Sequence, residues 1–321
     1  MRPTRLLSLI TCVSALAACT PPPEEPSGLT EKQLPGESFY PEGIASGPDG
    51  TLYFSSVGTG AIARARPGEL GASVFVPGRP AFGVYGMAVD TAHDTLWACT
   101  YDDTLPPAQP SHLAAYSLTT GAQTLDLVMP GESGGCNDVT LDAAGNVYAT
   151  DSFANTIVRL PVGGSQLETW ASDAAFEASE PGAFTLNGLT WDGGNTLYVV
   201  KTDTGDLFSI AIQPDGSAGA PVAIPVSPAL ETPDGLEWVD DGRLLVVENS
   251  AGRASLVTLA GGSGTKEVLA NDFLEPTAVA LTQEGAWVLE SQLSILFGQP
   301  GLPSLPFRAR RIAVPPAPLL P

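Results

Sequence analysis

The chain has 321 residues, with 14 basic side chains against 35 acidic ones and a net charge of −21. Hydrophobic residues make up 43% and charged residues only 15%, which excludes a disordered chain and allows a large buried core. Nucleic-acid binding is excluded because a polyanion would be repelled and no basic stripe exists to displace its counterions.

Taken in chain order, Arg2 and Arg5 precede an apolar stretch at residues 6–18, too short to span a bilayer as a stable helix. It ends in Leu16-Ala17-Ala18-Cys19, which resembles the bacterial lipobox. The expectation is a signal peptide over residues 1–18, lipidation at Cys19, and a flexible tether over residues 19–39. Thr20, after the cysteine, resembles outer-membrane sorting, so the expected location is the periplasmic side of the outer membrane, held by the N-terminal lipid.

Cys12 leaves with the signal, and Cys99 and Cys136 remain. In an oxidising compartment that pair is a disulfide candidate. A zinc site is not expected, since two cysteines and the scattered His93 and His112 lack ligand spacing.

After residue 40 a repeat organises the chain. Glu42-Gly43-Ile44, Tyr85-Gly86-Met87, Asn137-Asp138-Val139, Asn187-Gly188-Leu189, Asp234-Gly235-Leu236 and Thr277-Ala278-Val279 each open a short apolar strand. A polar turn, in most units rich in Asp and Gly, then leads to a second strand, usually bearing Tyr or Trp. That is a hairpin signature, and further strands follow in each unit. Six such units predict an all-β, six-bladed β-propeller over residues 40–314, with a Pro-rich tail at 315–321. The sixth blade would take residues 307–314 as its third strand and close with a fourth strand from around residues 33–40.

The innermost strands begin at the mouth of the central channel, so Glu42, Tyr85, Asn137, Asn187, Asp234 and Thr277 should form a ring. Its carboxylates and amides offer oxygen ligands only, which suits Ca²⁺, or less well Mg²⁺ or Mn²⁺. Asn or Asp before Gly also makes turns, but Glu42 has no turn rationale.

These residues resemble the senescence marker protein 30/gluconolactonase/luciferin-regenerating enzyme family, through Pro41-Glu42-Gly43, Asn137-Asp138, Asn187-Gly188 and Pro233-Asp234-Gly235. The resemblance covers about residues 40–290. It implies a divalent metal on Glu42, Asn187 and Asp234, with Asn137 beside it holding substrate or water and Asp234 doubling as general base. Many relatives carry an arginine two residues before the third-blade asparagine, where this chain has Gly135. The segment Thr150-Asp151-Ser152-Phe153-Ala154-Asn155 is similar to NHL repeats, many of which only bind.

A second aligned level ends the second strands: Ser56, Thr100, Asp151, Lys201, Glu248 and Glu290. Lys201 is expected either to pair with Asp151 or Glu248 or to grip a substrate carboxylate in place of the missing arginine. Insertions at residues 101–112, 171–184 and 291–306 are expected to wall the site, with Trp170, Phe176, Phe184 and Tyr101 supplying apolar surface. The G-x-S-x-G match around Ser133 lacks the strand-turn-helix of a nucleophile elbow. The expected function is a monomeric, metal-dependent hydrolase of a small lactone or ester. The alternative is a non-enzymatic binding propeller of the cell envelope.

Overall fold

Every inner strand carries the same irregularity near its start: a two-residue bulge after its first paired residue, or in blade two after its third. The breaks fall between Pro41 and Ile44, Val84 and Met87, Cys136 and Val139, Leu186 and Leu189, Pro233 and Leu236, and Pro276 and Val279. A bulge leaves its extra residues unpaired and re-aims them. The computed structural model that shows this describes residues 28–102, 111–131 and 134–317. The stretch read as a signal peptide, Cys19, residues 103–110 of the first insertion, Ser133 and the end of the tail lie outside those residues.

Six sheets form six blades, antiparallel throughout except for the short strand Val226–Ser227, which runs parallel to Ser263–Ala270 at the edge of the fifth. Their inner strands are Pro41–Ser46, Phe82–Asp90, Cys136–Leu141, Leu186–Trp191, Pro233–Asp240 and Pro276–Thr282. The Asp/Gly turns that follow are built by side-chain capping. Asp142 Oδ1 accepts the N–H groups of Ala144 and Asn146 at 2.9 and 3.0 Å, and Asp192 Oδ1 does the same for Gly194 and Thr196. Gly145 and Gly193 supply the positive φ, 87° and 78°, that these turns require.

The sixth blade closes the ring. Its second and third strands are Gly285–Glu290 and Arg308–Ile312, and its outer strand is Glu31–Gln33 from the other end of the chain. Glu31 pairs with Arg310 and Gln33 with Arg308. The ring is thus closed from the segment before Glu42 as expected, but the strand begins upstream of residues 33–40, shares only Gln33 with them, and lies within the stretch read as tether. It is held by ladder bonds, an Arg308–Glu31 ion pair at 3.4 Å, and Lys32 over the Trp287 ring at 5.4 Å.

The core is divided among the seams. Six apolar clusters each fill the space between two neighbouring blades, from the one joining Phe54 and Leu52 to Trp287 and Phe307 round to the one joining Leu256 to Val288. Each blade thus buries both faces, and apolar burial binds the ring blade to blade. Trp170 and Phe176 belong to the seam between blades three and four, where Phe176 meets Phe208, so they do not supply surface to the channel mouth as expected. Cys99 and Cys136 form a disulfide with a Cα–Cα distance of 5.2 Å, joining blade two to the start of blade three. Among the described residues, no helix is long and apolar enough to cross a membrane.

Candidate functional site

The six bulges bring the expected ring together at one end of the channel. Glu42, Asn137, Asn187, Asp234 and Thr277 are all buried there, and Tyr85 is partly so. The bulge residue after each ring residue explains the recurrent glycine. A Cβ on Gly43 would overlap Tyr85 O, one on Gly86 would overlap Asn137 O, and one on Gly188 would overlap Asp234 O. Glycine lets each blade press its backbone against the next ring residue. Thr277 closes the circle by donating from Oγ1 to Glu42 O at 2.7 Å.

The second aligned level is fixed by register. Ser56, Thr100, Asp151, Lys201, Glu248 and Glu290 pair with the residues just before the ring: Pro41, Val84, Cys136, Leu186, Pro233 and Pro276. All are buried. Lys201 is 2.7 Å from Asp203 Oδ1, in the turn of its own blade, rather than on Asp151 or Glu248. Asp151 Oδ1 accepts N–H groups from Gly135, Phe153 and Ala154, while Glu248 holds Arg253 and Lys266.

One position further on lies a set of braces that sequence reasoning missed. Ser152 Oγ donates to Leu186 O at 2.6 Å, and Thr202 Oγ1 donates to Pro233 O at 2.7 Å. Asn249 Nδ2 donates to Pro276 O at 3.3 Å and to Asp234 Oδ2 at 3.0 Å. Each carbonyl belongs to the residue before a ring residue of the next blade. Thr202 Oγ1 also accepts from Asn187 Nδ2 at 3.1 Å, so the ring amide is oriented from behind. The signal was a hydroxyl or amide side chain following the second strand in three consecutive repeats.

Electrostatics set the ring apart. Below it runs a cavity of about 360 Å³, with no Lys, Arg or His among its lining residues. Four carboxylates face this region: Glu42 and Asp234 at the ring, with Asp138 and Glu237 beside and below it. Burial and the charges of Asp234 and Asp138 push Glu42 well above the usual carboxylate range. Burial raises Asp234 to about 8, against the hydrogen bond from Asn249, with Asp138 adding to the rise. Asp138 rises to about 7 through burial, although its carboxylate accepts the Leu189 and Val139 N–H groups, each at 2.9 Å. Glu237 is pushed up to about 8 by burial and by Asp138. Neither Asp138 nor Glu237 was assigned a role from sequence.

The ring also holds an unsatisfied acceptor. Asn137 Oδ1 is buried and, among the described residues, has no hydrogen-bond partner; Asp151 Oδ2 is the other such oxygen near the mouth. A buried carbonyl oxygen left unpaired costs on the order of 1–3 kcal/mol. Among the described residues, no group of three or more His, Cys, Asp or Glu is arranged to hold a metal; this ring mixes two carboxylates with two amides.

The sequence profile of the SMP-30/gluconolactonase/LRE-like region matches residues 40–286. The chain belongs to this family. Among curated proteins, none matches it. Of solved structures, a luciferin-regenerating enzyme is similar with a TM-score of 0.65 at 12% identity, over 88% of this chain and 95% of that one. A gluconolactonase from Xanthomonas campestris gives 0.61 at 18% identity, over 86% and 87%. A streptogramin B lyase gives 0.59 at 18%, over 81% and 79%. At these identities the structural likeness shows the shared propeller.

Within this SMP-30/gluconolactonase-like propeller, Gly135 sits where the notable side chain of many relatives is missing. A Cβ there would overlap Phe153 Cδ2 and lie 3.1 Å from Tyr101 Oη. The place is therefore filled by aromatic rings. Tyr101 packs against ring residue Tyr85 with centroids 4.6 Å apart and the ring planes tilted by 53°, and its phenol is pushed well above its usual range by burial, by Tyr85 and by nearby charges that include Glu42.

Proposed function

We propose that this protein is a divalent-metal-dependent hydrolase of a neutral lactone or ester, with the metal held at the channel mouth by Glu42, Asn187 and Asp234 and with Asn137 beside it. The observation that carries this reading is the ring itself: oxygen donors only, two carboxylates raised by burial and by neighbouring carboxylates, with no basic side chain lining the cavity, and a buried Asn137 Oδ1 without a partner among the described residues. Such a set fits a hard cation, Ca²⁺ first and Mg²⁺ or Mn²⁺ next. When bound, the cation would polarise the scissile carbonyl and lower the pKa of a water molecule.

The chain's own residues supply the rest. Asn249 fixes the Asp234 carboxylate through Oδ2, so its orientation is set before substrate arrives. Asp234, so oriented, would be the group that takes a proton from that water. Thr202 holds the Asn187 amide so that its oxygen rather than its nitrogen is free for the mouth. Asn137 Oδ1 is available to hold water or a substrate hydrogen-bond donor.

The same proposal keeps the exported, lipid-anchored location read from residues 1–19, and a disulfide such as Cys99–Cys136 is what an oxidising compartment favours. The partner expected is a small molecule, the protein acting as a monomer.

The test is calorimetric titration of Ca²⁺ into chelator-stripped protein and into Glu42→Ala and Asp234→Ala variants, followed by turnover of a lactone and ester panel. One-to-one binding lost in both variants, with turnover abolished in Asp234→Ala, supports the reading. Absence of binding in a folded wild type retires it and leaves a binding propeller.

A further inference from the structure

From one side of the mouth, an aromatic strip runs across blades two to four. Tyr85 and Tyr101 meet at a tilt with centroids 4.6 Å apart, the side-chain direction of Gly135 faces Tyr101 Oη and the Phe153 ring, and Phe153 meets Phe184 with centroids 4.7 Å apart. The strip is tied to the ring by sequence as well as by contact: Gly135 is two residues before Asn137, and Phe184 is three before Asn187. Phe153 and Phe184 are 41% and 46% exposed, although large apolar side chains are normally withdrawn from water.

Among the described residues, polar recognition is scarce beside it. Ser111 Oγ donates to Gly134 O and accepts the Cys136 N–H. Asp151 gives Oδ1 to three backbone N–H groups, and its Oδ2 is sealed from solvent. Lys201 is buried on Asp203, and Arg79 lies over the Phe82 ring, 3.5 Å from Asp102. A polyhydroxylated substrate loses hydrogen bonds to water for each hydroxyl it buries without a partner. An anionic group placed beside the strip finds Lys201 and Arg79 already paired, with Asp203 and Asp102. A neutral apolar substrate meets neither penalty and covers the two exposed phenyl rings.

We infer that this mouth is selective for a neutral lactone or ester carrying an alkyl or aryl group, seated on the Tyr101–Phe153–Phe184 strip, and not for a sugar-acid lactone. The substrate class rests on the hydrolase reading above, but the binding preference is measured apart from turnover. Gly135 and Phe153 make the choice together: without a side chain at 135 the phenyl ring occupies the space a cationic arm would need.

The experiment compares two unreactive amides in calcium-containing buffer by calorimetry: δ-decanolactam, which mimics an alkyl lactone, and gluconolactam, which mimics a sugar lactone. The wild type is expected to bind δ-decanolactam about tenfold or more tightly than gluconolactam. Phe153→Ser and Phe184→Ser should each weaken δ-decanolactam about tenfold and leave gluconolactam unchanged; both side chains are half exposed, and thermal melts check that the variants fold. Equal or tighter gluconolactam binding, no detectable binding of either amide, or δ-decanolactam binding unmoved in both variants would overturn the inference. Turnover of δ-decanolactone is read separately: its absence, with δ-decanolactam binding and its Phe dependence intact, fails the hydrolase reading while the site's preference stands.

Discussion

Asn249 joins Asp234 to the neighbouring blade with one nitrogen: Nδ2 donates to Asp234 Oδ2 at 3.0 Å and to Pro276 O at 3.3 Å. The carboxylate proposed as ligand and base is therefore anchored to the seam between blades five and six. Groups that orient a metal ligand in this way typically change affinity or activity by about 10–100-fold when removed. Asn249→Ala is expected to weaken Ca²⁺ binding by that range and to cost only about 1 kcal/mol of stability, since one side chain's hydrogen bonds are lost. Calorimetry and urea unfolding on the same preparation separate the two effects. A fall in stability with unchanged Ca²⁺ affinity would show that Asn249 serves the seam alone.

The channel carboxylates give metal-free protein a pH dependence with a definite sign. Glu237 lines the channel and is raised to about 8 by burial and by Asp138, whereas the unfolded chain's glutamate titrates near about 4.3. Between those values the folded state holds a proton that the unfolded state has released. Stability is therefore fully present below about pH 4, falls as pH rises through the window, and levels off above about pH 8. Glu237→Gln is permanently neutral and should fall less, ending about 1–3 kcal/mol more stable than wild type near pH 8. Thermal melts in chelator from about pH 5 to 9 check this; parallel curves for the two proteins would mean Glu237 stays ionised in the fold.

The propeller was legible because the repeats spell the same local physics: a bulge pair, an apolar strand and, in the first four, a turn in which Asp caps its own backbone. Aligned repeats place Glu42, Asn137, Asn187 and Asp234 at one height without any structure, since equal positions in equal blades face one axis. What stayed hidden depends on side-chain direction or on the ends of the chain. Glu237 sits mid-strand between Leu236 and Trp238 and looks like an ordinary solvent-facing strand residue, until the ring closes and turns that face into a channel wall. Lys201 chose Asp203, two residues away in a turn, over the more distant carboxylates that blade alignment favours. The closing strand Glu31–Gln33 is three polar residues long, and only its register with Arg308–Ile312 identifies it. Trp170 and Phe176 were assigned to the mouth from their place near an insertion, but strand Glu168–Ser172 and the turn Ala174–Phe176 after it pack them into a seam.

The disulfide sits directly behind the ring, because Cys136 opens the strand whose next residue is Asn137. It closes a loop with a sequence separation of 37, and both cysteines are fully buried. Loop-closure entropy for that length is worth about 4 kcal/mol, a ceiling that native bridges commonly approach to within about half. Cys99→Ala/Cys136→Ala should therefore lower urea-unfolding stability by about 2–4 kcal/mol. Reductant should destabilise the wild type and leave the double variant unmoved, and this separates the covalent link from the loss of two small apolar side chains. The bridge also holds blade two against the strand that presents Asn137, so loosening it should weaken Ca²⁺ binding in reduced wild type while the far circular-dichroism spectrum keeps its β form. Ca²⁺ affinity that is equal in the oxidised and reduced proteins would confine the disulfide's role to stability.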